Sequence, residues 1–262
     1  MISPYPSAKT ASFATTNAVF IGRSIRLSLR NVEALIMAIA LPIMLMLLFT
    51  YVFGGALDPG GNYVNYVVPG IILLCAGFGS SITAVDVAQD MTNGIIDRFR
   101  TMPIRSISVI TGHVAASLVR NLIATAVVIG VAFLVGFRPS ANFPEWLMAF
   151  GVIVLFILAF TWLYAAIGLV ASSPSAASAY GFALLFLPYL SSAFVPTNTM
   201  PDWLQGIANR QPITPVIETI RGLLTGTPIR ENAWWAAGWC AFILLASVVW
   251  AMRVFSRKAG RR

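Results

Sequence analysis

The sequence predicts an all-α polytopic membrane protein with six transmembrane helices, an N-terminal interfacial helix, and an outer re-entrant or interfacial hairpin before the last span. Three observations carry this. Of the 262 residues, 58% are apolar and only 10% charged, against about 45–50% and about 25% in soluble domains; the mean hydropathy is +0.82. Six windows (34–53, 66–88, 108–135, 146–170, 176–194 and 234–254) are apolar over about the ~20 residues that cross ~30 Å of hydrocarbon. The basic residues also alternate between connections. Lys9, Arg23, Arg26 and Arg30 precede the first window, Arg98, Arg100 and Arg105 follow the second, and Arg253, Arg257, Lys258, Arg261 and Arg262 close the chain. The other connections hold only Arg138, Arg210, Arg221 and Arg230. The positive-inside rule then puts both termini in the cytoplasm, with the chain in the cell (plasma) membrane.

The elements follow in order. Residues 1–33 form a cytoplasmic N-terminus. Residues 1–16 are polar and rich in Ser, Thr and Pro, with no apolar run of the kind a cleavable signal needs, so the first span is expected to act as its own insertion signal. From 17 to 32, Arg23, Arg26 and Arg30 fall on one helical face and Ile21, Ile25, Leu29 and Val32 on the other. That describes a helix lying in the membrane interface, its arginines reaching lipid headgroups. The transmembrane domain runs from 34 to 254. Its second connection, 89–106, is charged and punctuated by Gly94 and Pro103, so it must face water. The connection 195–233, expected outside, holds two short helical pieces. One lies around 201–207. The other has Thr214 as N-cap, Pro215 at the first helical position and Gly226 past the end; at about ten residues it would reach only ~15 Å, too short to cross. A basic tail, 255–262, ends the chain. The net charge of +8 thus reads as topology and headgroup contact, not nucleic-acid binding.

Several chemistries are excluded. The only lysines are Lys9 and Lys258, so no phosphate-binding P-loop exists. The single histidine, His113, cannot make a paired-histidine metal site. No Gly-x-Ser-x-Gly occurs. Cys75 and Cys240 sit in apolar runs and read as small buried hydrophobes. Neither catalysis nor a directly bound cofactor or metal is expected of this chain.

Polar residues inside apolar spans are costly and usually functional. Gly79, Thr83, Asp86 and Asp90 form a polar stripe at the end of the second span; His113, Ser117 and Arg120 form another on the third. Facing stripes bring Asp86 against Arg120, either as an ion pair fixing how the spans pack or as a substrate contact. Aromatics on spans four and five, from Phe150 to Tyr189, read equally as packing surface or as the wall of a conduit for amphipathic cargo.

Two motifs carry a resemblance. The first runs Asp90-x-x-x-Gly94-Ile95-Ile96-Asp97-Arg98-Phe99-Arg100-x-Met102-Pro103, then Gly112 and Val119-Arg120-Asn121; the second runs from Asn209 through Gln211-Pro212-Ile-Thr214-Pro215 to Arg221 and Gly226. Together they resemble the permease subunits of ABC-2 type transporters, in particular the daunorubicin-resistance branch. The resemblance implies an exporter of hydrophobic drugs, lipids or glycoconjugates. It also implies a dimer with a second permease copy or paralogue, and a separate ATP-binding subunit that hydrolyses ATP. The coupling helix that docks this subunit would be Gly94 to Pro103, with Ile95, Ile96, Phe99 and Met102 as apolar knobs and Asp97, Arg98 and Arg100 as a charged rim. The competing class is a non-ABC channel or ion-coupled carrier. It would want acids at span centres, where none of the Asp or Glu residues falls.

Overall fold

The computed structural model describes residues 21–94 and 107–259, apart from residues 27, 29 and 59. Every regular element among them is helical. Residues 21–26 are helical, and the helix breaks at Asn31 before the chain enters α1 (Val32–Leu47). α1 runs on through a π-helical stretch, Leu48–Phe53, and a last turn, Gly54–Leu57. Then come α2 (Tyr63–Thr92), α3 (Ile107–Val135), α4 (Phe143–Val170), α5 (Pro174–Leu184), α6 (Asp202–Arg210), α7 (Ile213–Thr225) and α8 (Asn232–Ala259).

Among the described residues, five stretches are long and apolar enough to cross a membrane: Leu35–Leu57, Tyr63–Thr92, Val109–Val135, Phe143–Val170 and Asn232–Phe255. The fifth sequence window, 176–194, is not one continuous helix. α5 stops at Leu184, a 3-10 turn occupies Leu187–Leu190, and irregular backbone follows. Pro188, which lacks an N–H and whose ring would clash with the carbonyl four residues back at Leu184, fits the break, although Pro42 and Pro69 are carried within continuous helices. The segment nonetheless runs the length of α2. A Cβ on Gly181 would touch Ser81, one on Gly77 would touch Leu185, and one on Gly70 would meet Ala193 at 2.7 Å. Tyr63 Oη donates to the Phe194 carbonyl at 2.7 Å. From Ser81 to Tyr63, α2 rises about 27 Å, so the broken segment reaches over about the depth of a hydrocarbon core alongside it. Non-helical backbone at that depth survives only where protein satisfies its polar groups. Tyr66 Oη (3.0 Å) and Arg221 (2.7 Å) donate to the Ser192 carbonyl, Gln211 (2.6 Å) to the Leu190 carbonyl, and Ser191 Oγ to the Pro188 carbonyl.

α2 is the central element, packed by α1, α3, α4, α5 and α7, while α8 packs on α4 and α7. Close approach rests on small residues, as between helices in lipid. A Cβ on Gly168 would lie 2.5 Å from the Ala84 carbonyl, and one on Gly79 would overlap the Asn121 amide. α7 is buried between α2, α4 and α8, with Val216, Ile217, Ile220 and Leu224 inaccessible; it dips into the bundle and does not lie on its surface. Its cap differs from the sequence reading. Pro212, not Thr214, is the N-cap. The Thr214 hydroxyl instead donates to the Ala208 carbonyl of α6 at 2.5 Å, closing the α6–α7 corner. Gly226 ends α7 in the left-handed region, φ +74.

Candidate functional site

α2 has 30 residues, about 45 Å of helix, and overshoots a ~30 Å hydrocarbon core. Its last turns, with Asp86, Gln89 and Asp90, therefore emerge at one end. α3 starts at the same end and runs antiparallel, so His113, Ser117 and Arg120, at i, i+4 and i+7, face them. The charged connection between these two helices begins here. Gly94, at φ +67, lets the chain leave α2. The remaining coupling residues singled out from the sequence (Ile95, Ile96, Asp97, Arg98, Phe99, Arg100, Met102 and Pro103) lie outside the described residues.

Arg120 is the hub of this end, only 3% exposed. Its Nη1 lies 3.6 Å from Asp86 Oδ2 and donates to Ser28 Oγ at 3.0 Å. Its Nη2 donates to the Gly79 carbonyl at 3.2 Å. The guanidinium thus binds both α2 and the helical segment before α1. His113 Nε2 sits 3.0 Å from Asp90 Oδ2, a second link between α2 and α3. These groups line a cleft of about 210 Å³ that also takes in Arg23, Ser24 and Asn31. Beneath the cleft, Asn121 donates to the Ser117 carbonyl (3.0 Å) and reaches Ser117 Oγ and Ser80 Oγ. The Ser80 hydroxyl contacts Thr161 Oγ1 of α4 at 3.1 Å. Arg120 Nε, Asn121 Oδ1 and Thr83 Oγ1 have no hydrogen-bond partner among the described residues. The cluster ties three helices and the N-terminal segment together beside the two ends of one charged loop, with bonding capacity to spare among the described residues.

A model of the ABC-2 type transporter family matches residues 17–225. The chain belongs to the ABC-2 type transporter family. It is 31% identical over 195 residues (74% of this chain, 69% of the relative) to the daunorubicin resistance ABC transporter permease protein DrrB1 of Streptomyces coeruleorubidus. It is 26% identical over 219 residues (80% of this chain, 79% of the relative) to the probable doxorubicin resistance ABC transporter permease protein DrrC of Mycobacterium tuberculosis. A putative transport permease, ycf38, of Cyanophora paradoxa is 27% identical over 200 residues (74% of this chain, 69% of the relative). The chain is therefore a multi-pass membrane subunit of an ABC exporter, a family whose permeases work with an ATP-binding subunit. A channel or ion-coupled carrier is not favoured.

Within this permease the sequence had marked Asp86, Arg120 and His113, and the structure gathers all three in one cleft. It had not marked Ser28, the Asp90–His113 contact, or the Asn121–Ser80–Thr161 network. Only the polar side chains inside apolar windows hinted at the last. The aromatics of spans four and five separate. Phe156, Phe160 and Tyr164 are buried, whereas Tyr180, Phe182, Phe186 and Tyr189 of the broken segment are exposed. With the exposed side of α1 (Met37, Met44, Tyr51, Val52), they leave apolar surface on both elements flanking α2.

Proposed function

We propose that this permease exports hydrophobic or amphipathic compounds, such as drugs, lipids or glycoconjugates, out of the cell. ATP is hydrolysed by a separate subunit docked on Gly94 to Pro103, and no cofactor is bound by the permease itself. Both termini and the loop 89–106 lie in the cytoplasm, and the 195–233 hairpin lies outside. A second copy or paralogue pairs across the exposed apolar sides of α1 and α5, whose aromatics wall the route for cargo.

The observation that carries this reading is the Asp86–Arg120–Ser28 and Asp90–His113 cluster. It joins both helices that flank the charged loop to the segment before α1, so a displacement of the loop reaches three elements at once. ATP-dependent uptake of a lipophilic dye into inverted vesicles tests it. Uptake should require both this chain and its ATP-binding subunit, and a vesicle with the permease alone should show none; uptake by the permease alone, without ATP, would overturn the reading. For orientation, single cysteines at Asp58, Asn142 and Asp202, in a background lacking Cys75 and Cys240, should label from outside with an impermeant reagent. Labelling only after permeabilisation would invert the topology.

A further inference from the structure

The hairpin end carries more arginine than an outward-facing connection usually does. One of these, Arg221, is buried and has every guanidinium nitrogen hydrogen-bonded. Arg210 and Arg230 are different. Both are exposed, and neither guanidinium is hydrogen-bonded or ion-paired among the described residues. They open onto one cavity of about 890 Å³, between the C-terminus of α6 and the N-terminus of α8, together with Asn209, Asn232, Trp235 and Trp239. Glu231 also lines it, leaving the wall net positive by one charge.

Three further features point the same way. The α8 N-terminus, at Asn232, turns the positive end of a 28-residue helix toward the cavity, which favours an anion, although the Asn232, Trp234 and Trp235 N–H groups already donate to the Ile229 and Glu231 carbonyls. Arg230 has φ +50, unlike any other non-glycine among the described residues, and so it is held in a costly backbone conformation beside the cavity. From the cavity, Trp235, Phe242, Leu245, Val249 and Met252 run down α8 at helical spacing, all exposed. Cationic groups over an apolar track, with indoles at their junction, match a molecule with an anionic head and a hydrocarbon tail.

We propose that this cavity is a binding site for an anionic phospholipid of the surrounding bilayer. Arg210, Arg230 and the α8 N-terminus face its phosphate, and its acyl chains lie along the Trp235–Met252 stripe. The site is apart from the proposed cargo route, because α8 packs on α4 and α7 whereas α1 and α5 pack on α2. A bound lipid would brace the α6–α7 hairpin against α8.

Native mass spectrometry of the delipidated permease, titrated with phosphatidylglycerol or phosphatidylcholine of equal chain length, tests this. Phosphatidylglycerol should bind wild type about tenfold tighter than phosphatidylcholine, the preference two arginines give against one glutamate. Arg210→Gln/Arg230→Gln should lose that preference, phosphatidylglycerol binding falling more than phosphatidylcholine binding because only the former carries net negative charge; Arg210→Lys/Arg230→Lys should keep most of it. Glu231→Gln, which leaves both arginines in place, should widen it. Equal affinity for the two lipids in wild type, or an undiminished preference in the Gln pair, would overturn the site.

Discussion

Among the described residues, the two ends of the bundle each bury one arginine, and the contrast between them separates a strut from a joint. Arg221, 4% exposed, is satisfied on every side. Glu218 accepts at 2.5 Å, the Tyr66 carbonyl at 3.0 and 3.2 Å and the Ser192 carbonyl at 2.7 Å, and the guanidinium stacks 3.8 Å over the Tyr66 ring. Arg120, at 3%, has a looser carboxylate partner, 3.6 Å away and 38% exposed, and its Nε is unpartnered among the described residues. A buried charge with complete hydrogen bonding fixes one geometry, whereas an under-satisfied one can trade partners at lower cost. The hairpin end thus has the bonding of a fixed clamp, and the loop end has the bonding expected of a joint if the proposed coupling holds.

The largest effect should come from breaking the strut. Arg221→Ala leaves two backbone carbonyls and Glu218 without their cation, and loss of one partner of a buried pair costs about 3–5 kcal/mol. The purified protein should melt early or fail to accumulate, while Glu218→Gln, which keeps the carbonyl contacts, should do less. Equal melting of Arg221→Ala and wild type would mean that the clamp carries no load.

Next comes docking. Burying a Phe side chain is worth about 1.5–3 kcal/mol, so Phe99→Ala should weaken capture of the ATP-binding subunit about tenfold or more. Membrane insertion should be unchanged, since the loop belongs to no span. Full recovery of the subunit in a pull-down would place docking elsewhere, the short connection 171–175 being the next candidate.

The joint should give a smaller, non-additive signal. Asp86→Ala and Arg120→Ala should each lower folded yield, and Asp86→Asn/Arg120→Gln should be milder than their sum, with a coupling of about 0.5–3 kcal/mol. Simple additivity in the cycle removes the pair. Smallest is Arg98→Ala, expected to shift the salt dependence of docking more than its strength; an affinity loss as large as that of Phe99→Ala, at both low and high salt, would make Arg98 an anchor instead.

The same contrast explains what could be read from the chain. Spacing alone brought Asp86 opposite Arg120, because consecutive antiparallel helices that pack on each other align their stripes. Hydropathy placed the five continuous spans, but a window average is blind to a break, so 176–194 looked like the rest although Pro188 stood inside it. Arg221 was counted as one more outward charge. Glu218, three residues earlier on the same apolar helix, was the available sign that it was paired and buried. Ser28 and the Gly79 carbonyl were illegible, since partners contributed by backbone or by distant segments leave no local pattern.

The central claim is that the Arg120 cluster passes motion from the loop to the spans, and the most direct measurement is transport per ATP hydrolysed by the reconstituted complex. Arg120→Gln should bind its ATP-binding subunit as wild type does and still hydrolyse ATP, yet move several-fold less cargo per ATP. Unchanged transport per ATP in Arg120→Gln would contradict the account.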